Sequence, residues 1–367
     1  MADYSAALLD ALKREVSVRI RSRTCDVPLY HLGNNRLHNE IYSLAIQKPG
    51  VVVLHDAVLH HFLLGRLTEE EYVKEFVYNY GSWSLPLARS LWRERARSAA
   101  DPRYYEYPML RRIAESSMAV IVHNPAAASS VRRHAPNARV YEVPHLLPEP
   151  VRPGVQEVAA IRSSLGIPSN EFLFAVFGHL RESKRLSTVL RVFRRMRREG
   201  EKVGLLIAGD FASTDLERSL APWLSSPGIY RVGYTPDRLF WTLAAATDAC
   251  INLRYPTAGE TSGITIRLMG IGKPVLLTSA EENSRYPEAA CIRIDAGLAE
   301  EDMLATFMRW LSRFPAHARE IGARAQEYIA VHHSPAVAAT RYAEVLRNVN
   351  REMPASDRQN VAISTSY

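Results

Sequence analysis

The amino-acid sequence predicts an α/β fold made of two doubly wound parallel domains. β-branched runs alternate with amphipathic helical segments twice over along the chain. A proline-rich segment without periodicity, 147–156, separates the two series. The notable polar residues follow predicted strands, at the carboxyl ends where such sheets bind ligands. We therefore expect two Rossmann-like domains that face each other across a cleft.

Composition narrows the class of protein. The chain has 367 residues, of which 47% are hydrophobic and 23% charged, as in a soluble protein of two domains. Its net charge of +7 suits phosphorylated or anionic partners, or is only a solvated basic surface. No apolar run approaches the ~18 residues of a membrane helix. We predict a cytoplasmic protein, and a peripheral contact with the inner face of the membrane stays open.

The first domain is assigned to residues 1–148. A short apolar run, 29–32, precedes polar, turn-prone residues, and the segment 69–116 is helical and rich in Arg, Tyr and Trp. The remaining predicted elements are a helix over 4–14, strands over 16–22, 51–57, 119–125 and 138–146, and a helix over 126–135.

The second domain is assigned to residues 149–333. Its predicted strands cover 171–180, 202–210, 228–235, 248–254 and 274–278, and its predicted helices cover 183–200, 214–224, 236–247 and 262–272. Helices fill most of 300–350, and the polar tail 353–367 is predicted to be disordered.

Basic residues cluster where the first strand of the second domain leads into a helix. Four residues lie close to that helix start in the sequence: His179, Arg181, Lys184 and Arg185. Cations at the positive end of a helix dipole are unfavourable unless an anion binds there. A diphosphate is the natural candidate, and the alternative is a solvated basic helix start. Nucleic acid is not expected, because the arginine-rich helix lacks interleaved aromatic residues.

A glycine-flanked loop, "GETSG", forms the second candidate site. Gly259 and Gly263 would let the backbone approach a ligand closely. Glu260 could accept hydrogen bonds from sugar hydroxyls, while the amides of the following helix could hold a phosphate. The alternative is a capping loop in which Thr261 or Ser262 caps the helix and the glutamate is incidental.

The first domain offers a third candidate site at the end of its strand 51–57. His55 and Asp56 follow the buried run and could face the second domain, or the histidine could be structural. Asn34 could line the same cleft or make a turn. Zinc needs three or four converging ligands, and no such set is evident, so we predict no metal site.

These motifs, in this order, resemble those of the retaining group 1 glycosyltransferases of the GT-B fold. The segment 177–193 looks like the family's phosphate-binding strand, turn and helix, with Lys184 as its diphosphate lysine. The segment 253–278 looks like the donor-sugar motif, with Glu260 as its first glutamate, and His55 matches the active-site histidine. Residues 334–352 look like the C-terminal helix that crosses back to the first domain.

The sequence also departs from the family pattern. The usual second glutamate of the donor motif falls near Arg267 or Leu268, and His179 replaces the diphosphate arginine, for which Arg181 or Arg185 could substitute. The chain begins at what resembles the first helix of the fold, so we expect the first domain to lack the family's usual first strand and Gly-rich loop. Either the start lies downstream of the usual one or the site is incomplete.

The resemblance implies metal-independent transfer of a hexose, with retention, to an acceptor hydroxyl. The donor is a nucleotide-diphosphate sugar, no cofactor is implied, and the acceptor is a glycan or lipid-linked sugar, as in polysaccharide biosynthesis. Arg89, Trp92 and Arg93 could form an acceptor face, or pack between helices. Two alternatives stay open: a non-catalytic module that binds a nucleotide sugar or a partner, and an epimerase of UDP-sugars.

Overall fold

The computed structural model describes residues 2–20, 25–99 and 101–352. The predicted disordered tail, 353–367, lies outside these residues. By its contacts the chain divides into two compact units. The first contains the residues up to Pro148, the loop Pro256–Thr261 and the residues from His333 onward; the second contains Glu149–Tyr255 and Ser262–His332. The loop 256–261, assigned by sequence to the second domain, thus groups with the first unit.

The first unit contains a four-stranded parallel sheet in the order β1-β2-β3-β4. Its strands are β1 (Leu29–Leu32), β2 (Val51–Leu54), β3 (Ala119–Val122) and β4 (Val140–Glu142). Their apolar residues alternate between the two faces, as a strand requires. Val52 and Val120 pack into one core, and Val51 and Val53 pack into the other.

Helices cover both faces of this sheet. On one face, α1 (Ala2–Leu12) packs with α16 (Pro335–Glu352), and the hydroxyl oxygens of Tyr4 and Tyr342 lie 2.9 Å apart. The core of the other face draws on the helical segment between β1 and β4. The helices of that segment are α2 (Asn39–Gln47), α3 (His60–Arg66), α4 (Glu69–Tyr80), α5 (Leu85–Glu94), α6 (Arg103–Glu106), α7 (Arg111–Ser116) and α8 (Pro125–His134).

The second unit contains a six-stranded parallel sheet in the order β10-β9-β8-β5-β6-β7. The central strands are buried along their whole length, as parallel sheets covered on both faces are. The strands are β5 (Phe172–Phe177), β6 (Val203–Ala208), β7 (Ile229–Val232), β8 (Ala249–Asn252), β9 (Val275–Thr278) and β10 (Ile292–Ile294).

Seven α-helices among the described residues belong to the second unit. They are α9 (Val155–Ser164), α10 (Leu186–Arg198), α11 (Thr214–Leu224), α12 (Asp237–Ala246), α13 (Gly263–Gly270), α14 (Glu300–Arg313) and α15 (Pro315–His332). The arginines of α10 pair with acidic residues of α14: Arg191 with Glu301 at 2.7 Å and Arg195 with Asp302 at 3.1 Å. Much of the charge that made α10 look like a basic surface is therefore balanced locally.

The alternating α/β architecture confirms the predicted fold class, with two exceptions in detail. The strand predicted over 16–22 is wrong in its described part, because residues 16–20 are irregular. Alternation of Val and Arg is a weak signal where no neighbouring strand is available to pair. The short strand β10 was not predicted, since its three residues, Ile292–Ile294, carry little periodicity.

Candidate functional site

A histidine lies at or within three residues of the carboxyl end of each strand of the first sheet. His31 lies in β1, His55 and His123 directly follow β2 and β3, and His145 lies three residues beyond β4. The strands are parallel, so these ends meet at one edge of the sheet, where ligands of such sheets bind. We call the four residues the histidine row.

The rings of the histidine row contact one another in sequence along the edge. Ring centroids are 5.3 Å apart for His31 and His55, 5.1 Å for His55 and His123, and 5.4 Å for His123 and His145. His31 Nδ1 lies 3.0 Å from His55 Nε2, so one ring donates a hydrogen bond to the other. Tyr4 of α1 contacts all four rings, at centroid distances between 4.6 and 6.0 Å.

Burial keeps the histidine row neutral at physiological pH. It lowers the pKa of His31 to about 3, helped by repulsion from His123, and lowers the pKa of His123 to about 4. Burial and the neighbouring histidines hold the pKa values of His55 and His145 well below their ordinary range. Neutral imidazoles offer one donor and one acceptor each, which suits hydroxyl groups better than phosphates.

Two imidazole nitrogens of this edge have unused hydrogen-bonding capacity. The Nε2 atoms of His31 and His123 are buried, and neither has a hydrogen-bond partner among the described residues. Throughout residues 2–20, 25–99 and 101–352, no three His, Cys, Asp or Glu side chains form a group that could hold a metal ion. The histidine row therefore offers neutral polar groups at this edge.

Asp56 and Asn34 hold the loops beside His55. The Asn34 N–H donates to Asp56 Oδ2 at 2.6 Å, and the Asn34 side-chain oxygen accepts from the Phe62 N–H at 2.7 Å. Both predicted ligand residues thus bind their own unit. Their contact with a substrate stays a prediction.

The loop 256–261 lies against the same edge of the first sheet. The Ala57 N–H donates to the Ala258 carbonyl at 2.9 Å, and Asn124 Nδ2 lies 3.0 Å from Thr261 Oγ1. The carboxylate of Glu260 accepts from the Ala258 N–H at 2.9 Å, within the loop itself. Gly259, Glu260 and Thr261 are therefore brought beside the residues that follow β2 and β3.

In the second unit, Lys184 lies at the carboxyl ends of β5 and β8. It is only 6% exposed, and its ammonium donates to the Phe177 carbonyl and lies 3.4 Å from Asn252 Oδ1. Gly178, which follows β5, has a φ of +88°, and a Cβ there would lie 3.4 Å from the Lys184 Nζ. Glycine thus allows the strand to turn directly beside the buried cation.

Asn252 joins Lys184 to the start of α13. Its Nδ2 donates to Ser262 Oγ at 2.8 Å and to Thr265 Oγ1 at 2.6 Å. Ser262 caps the helix by accepting from the Thr265 N–H at 3.2 Å, so of the two predicted capping residues it is the serine that caps α13. The Arg254 guanidinium lies 3.4 Å from the same serine hydroxyl. Two cations, Lys184 and Arg254, and the first turn of α13 therefore lie close to the carboxyl end of β8.

The other basic residues predicted for this site differ in placement. Arg181 and His179 are exposed in the loop after Gly178, and partial burial and the Arg181 charge lower the pKa of His179. Arg185 instead forms a bidentate ion pair with the buried Glu300. The φ of Arg185 is +56°. Arg267 pairs with Asp237, and its guanidinium lies 4.0 Å from the centroid of Phe240.

Several residues of these edges were missed from the sequence. His31, His123, His145 and Asn124 in the first unit, and Asn252 and Arg254 in the second, stand at strand ends as the predicted residues do. A usable signal was present: the runs "LYHL", "VVVLH", "AVIVHN" and "YEVPH" each place a histidine at or just after an apolar strand. Reading those runs together would have found the row.

Two α/β units, each built on a parallel sheet, define the GT-B fold. Solved structures of this fold are similar to the chain. Sucrose-phosphate synthase from Thermosynechococcus elongatus matches 89% of this chain and 74% of its own, at 16% identity and a TM-score of 0.62.

Two further solved structures share this fold. HepE from Anabaena, in complex with UDP-glucose, matches 87% of this chain and 99% of its own, at 14% identity and a TM-score of 0.61. WaaG, a glycosyltransferase involved in lipopolysaccharide biosynthesis, matches 90% of this chain and 86% of its own, at 14% identity and a TM-score of 0.57. No protein-family model and no curated protein matches the sequence. At these identities the comparisons establish the fold.

Acid is expected to destabilise the first unit through the histidine row. The folded chain keeps His123 neutral down to a pKa of about 4, whereas the unfolded chain binds the proton near its ordinary pKa. The stabilisation is therefore present above pH ~6.5 and is lost as the pH falls from there toward the folded pKa.

Urea unfolding at pH 7.5 and pH 5.0 checks this expectation. His123→Asn, which can still donate to the Val143 carbonyl, should reduce the loss of unfolding free energy between the two pH values by about 2 kcal/mol. His317→Asn, at an exposed histidine, should leave the loss unchanged. An equal loss in wild type and His123→Asn would contradict the burial argument.

Proposed function

We propose that the protein is a glycosyltransferase that moves a hexose from a nucleotide-diphosphate sugar to an acceptor hydroxyl. The observation that carries this proposal is the buried Lys184 ammonium at the ends of β5 and β8, beside the first turn of α13. HepE, which shares the fold, was solved with UDP-glucose bound. The same kind of donor fits a strand edge that combines cations with helix amides.

The second unit would hold the diphosphate. Lys184 and Arg254 supply positive charge, and the amides of the first turn of α13 supply oriented donors. Arg181 lies in the neighbouring loop and would add a solvent-exposed cation. These groups can stabilise the leaving diphosphate without a metal ion, which is why we propose a metal-independent reaction. Arg185, held by Glu300, would support the turn instead.

Glu260 and His55 would handle the hexose in this proposal. The Glu260 carboxylate can accept hydrogen bonds from sugar hydroxyls. The neutral His55 ring can donate a hydrogen bond to a sugar hydroxyl or accept one from it. A base with a pKa far below neutrality is weak, so His55 would position the sugar and take no proton. The bond from the anomeric carbon to the diphosphate breaks, the bond to the acceptor oxygen forms on the same face, and the acceptor proton goes to the departing diphosphate.

We further propose a glycan or lipid-linked acceptor, presented at the inner face of a membrane. The helix α5 buries Ala88 and Leu91 and exposes Arg89 and Arg93, and nearby Trp83 is 68% exposed. Trp92 is half-buried, with the Arg95 guanidinium 4.3 Å from its ring centroid. An exposed aromatic residue among cations suits an anionic lipid surface. No helix of the described residues is long and apolar enough to cross a membrane.

Replacement of Lys184 tests the donor site. Lys184→Met keeps most of the side-chain length and removes the charge, so kcat/KM for donor hydrolysis or transfer should fall about 100-fold or more. Glu260→Ala should lower it as well. The assay screens UDP- and GDP-sugars, and the anomeric configuration of the product reports retention.

Lys273→Met is the matched control for that experiment. Lys273 is a half-buried lysine whose ammonium donates to the backbone carbonyls of Ala245 and Thr247, which precede β8 and so lie away from its carboxyl end. The Lys273→Met variant should be less stable than the wild type, while its kcat/KM stays near the wild-type value. Wild-type turnover in both Lys184→Met and Glu260→Ala would refute the assignment, and donor binding without turnover would favour a non-catalytic module.

The membrane proposal predicts binding to anionic vesicles. Wild-type protein should sediment with vesicles of phosphatidylglycerol and phosphatidylcholine, and less of it should do so as salt rises. A double variant, Arg89→Gln with Arg93→Gln, should weaken binding by roughly 10-fold or more, at about 1 kcal/mol per arginine. Arg218→Gln with Arg238→Gln, two exposed arginines of the second unit, is the control. Equal binding by both double variants would rule out this face.

A further inference from the structure

Besides the backbone bond from the Ala57 N–H to the Ala258 carbonyl, one side chain, that of Asn124, joins the loop 256–261 to the rest of the first unit. Asn124, which follows β3 and is only 2% exposed, donates from Nδ2 to the Gly259 carbonyl at 2.9 Å and to Thr261 Oγ1 at 3.0 Å. The chain on either side of the loop, at Tyr255 and Ser262, belongs to the second unit. The loop is therefore a six-residue segment of the first unit, inserted in the chain between two parts of the second unit, and its position depends on its contacts within the first unit.

Asn124 has a second role at its other end. Its Oδ1 accepts from the Ala127 N–H at 2.8 Å and so caps α8. A carbonyl can only accept and the Ala127 N–H can only donate, so both contacts require the same orientation of the side-chain amide. Capping by Oδ1 aims Nδ2 at the loop, and the helix start thereby fixes the direction of the donor.

The loop backbone is shaped to reach this donor. Gly259 has a φ of +69°, and a Cβ there would lie 2.9 Å from the Ala57 Cβ. A side chain would thus both strain the turn and collide with the residue that bonds the Ala258 carbonyl. Close approach of the loop to the ends of β2 and β3 requires glycine at this position.

Glu260 stands between the two residues that Asn124 holds. The carbonyl of Gly259 and the hydroxyl of Thr261 flank it, and its carboxylate accepts from the Ala258 N–H inside the loop. We propose that Asn124 is a positioning residue that fixes the backbone on both sides of Glu260, and thereby sets where its carboxylate meets the donor hexose. The proposal rests on the donor role of Glu260 proposed above.

The substitution Asn124→Asp separates the two roles of this side chain. Ionised aspartate caps a helix as well as asparagine does, but it cannot donate to the Gly259 carbonyl. Amide hydrogen exchange should accelerate at least 10-fold in residues 257–261 and at Ala57, while α8 keeps its protection. Asn35→Asp is the matched control: Asn35 accepts from the Leu37 N–H at a turn, and the same chemical change there should alter neither region.

Kinetics then test the positioning role. In Asn124→Asp, kcat/KM for the sugar donor should fall at least 10-fold, and Glu260→Ala combined with it should cost little beyond Glu260→Ala alone, because the two act through one group. Unchanged exchange in the loop would overturn the fastening. Faster exchange with normal kcat/KM, beside an impaired Glu260→Ala, would overturn the positioning role. Normal turnover in Glu260→Ala would instead refute the proposed function itself, and the positioning role with it.

Discussion

The burial of one ammonium group, that of Lys184, constrains the edge of the second sheet. Removing a charge from water costs several kcal/mol unless polar groups surround it, and here the Phe177 carbonyl and the Asn252 amide oxygen do so. Asn252 can offer its oxygen to the lysine only if its nitrogen faces Ser262 and Thr265. The cation, the amide and the helix cap are therefore one hydrogen-bonded unit, and Gly178 provides the turn that brings the chain past it.

The first unit meets a different electrostatic demand at the equivalent edge of its sheet. Four neighbouring imidazoles would repel one another if charged, and burial around Tyr4 keeps them neutral. Neutral imidazoles can donate hydrogen bonds to hydroxyls and accept them without bringing charges together, whereas the positive charge of Lys184 suits an anion. In the proposed reaction the edge of the first unit would suit the hydroxyls of a hexose, and the edge of the second unit would suit a diphosphate.

Sequence patterns predicted the fold well, because long buried strands and amphipathic helices are local signals. They also placed Lys184 near a strand end and narrowed the cap of α13 to Thr261 or Ser262, since both features depend on position relative to one strand and one helix. They did not reveal that Arg185 would pair with Glu300, 115 residues away, or that Asn124 would hold a loop 135 residues away. Nor did they reveal the histidine row, which exists only once four strands lie side by side. Contacts of that kind follow from topology and have no local pattern.

The proposed glycosyl transfer depends most directly on the binding of a diphosphate at the buried lysine. Isothermal titration of the full chain with UDP and GDP, and with uridine and guanosine as matched ligands, measures this. At least one nucleoside diphosphate should bind with a stoichiometry of one, and its parent nucleoside should bind about 100-fold or more weakly, since the charge-assisted contacts are lost. If neither diphosphate binds, or if each binds no more tightly than its nucleoside, the edge at Lys184 is not a diphosphate site.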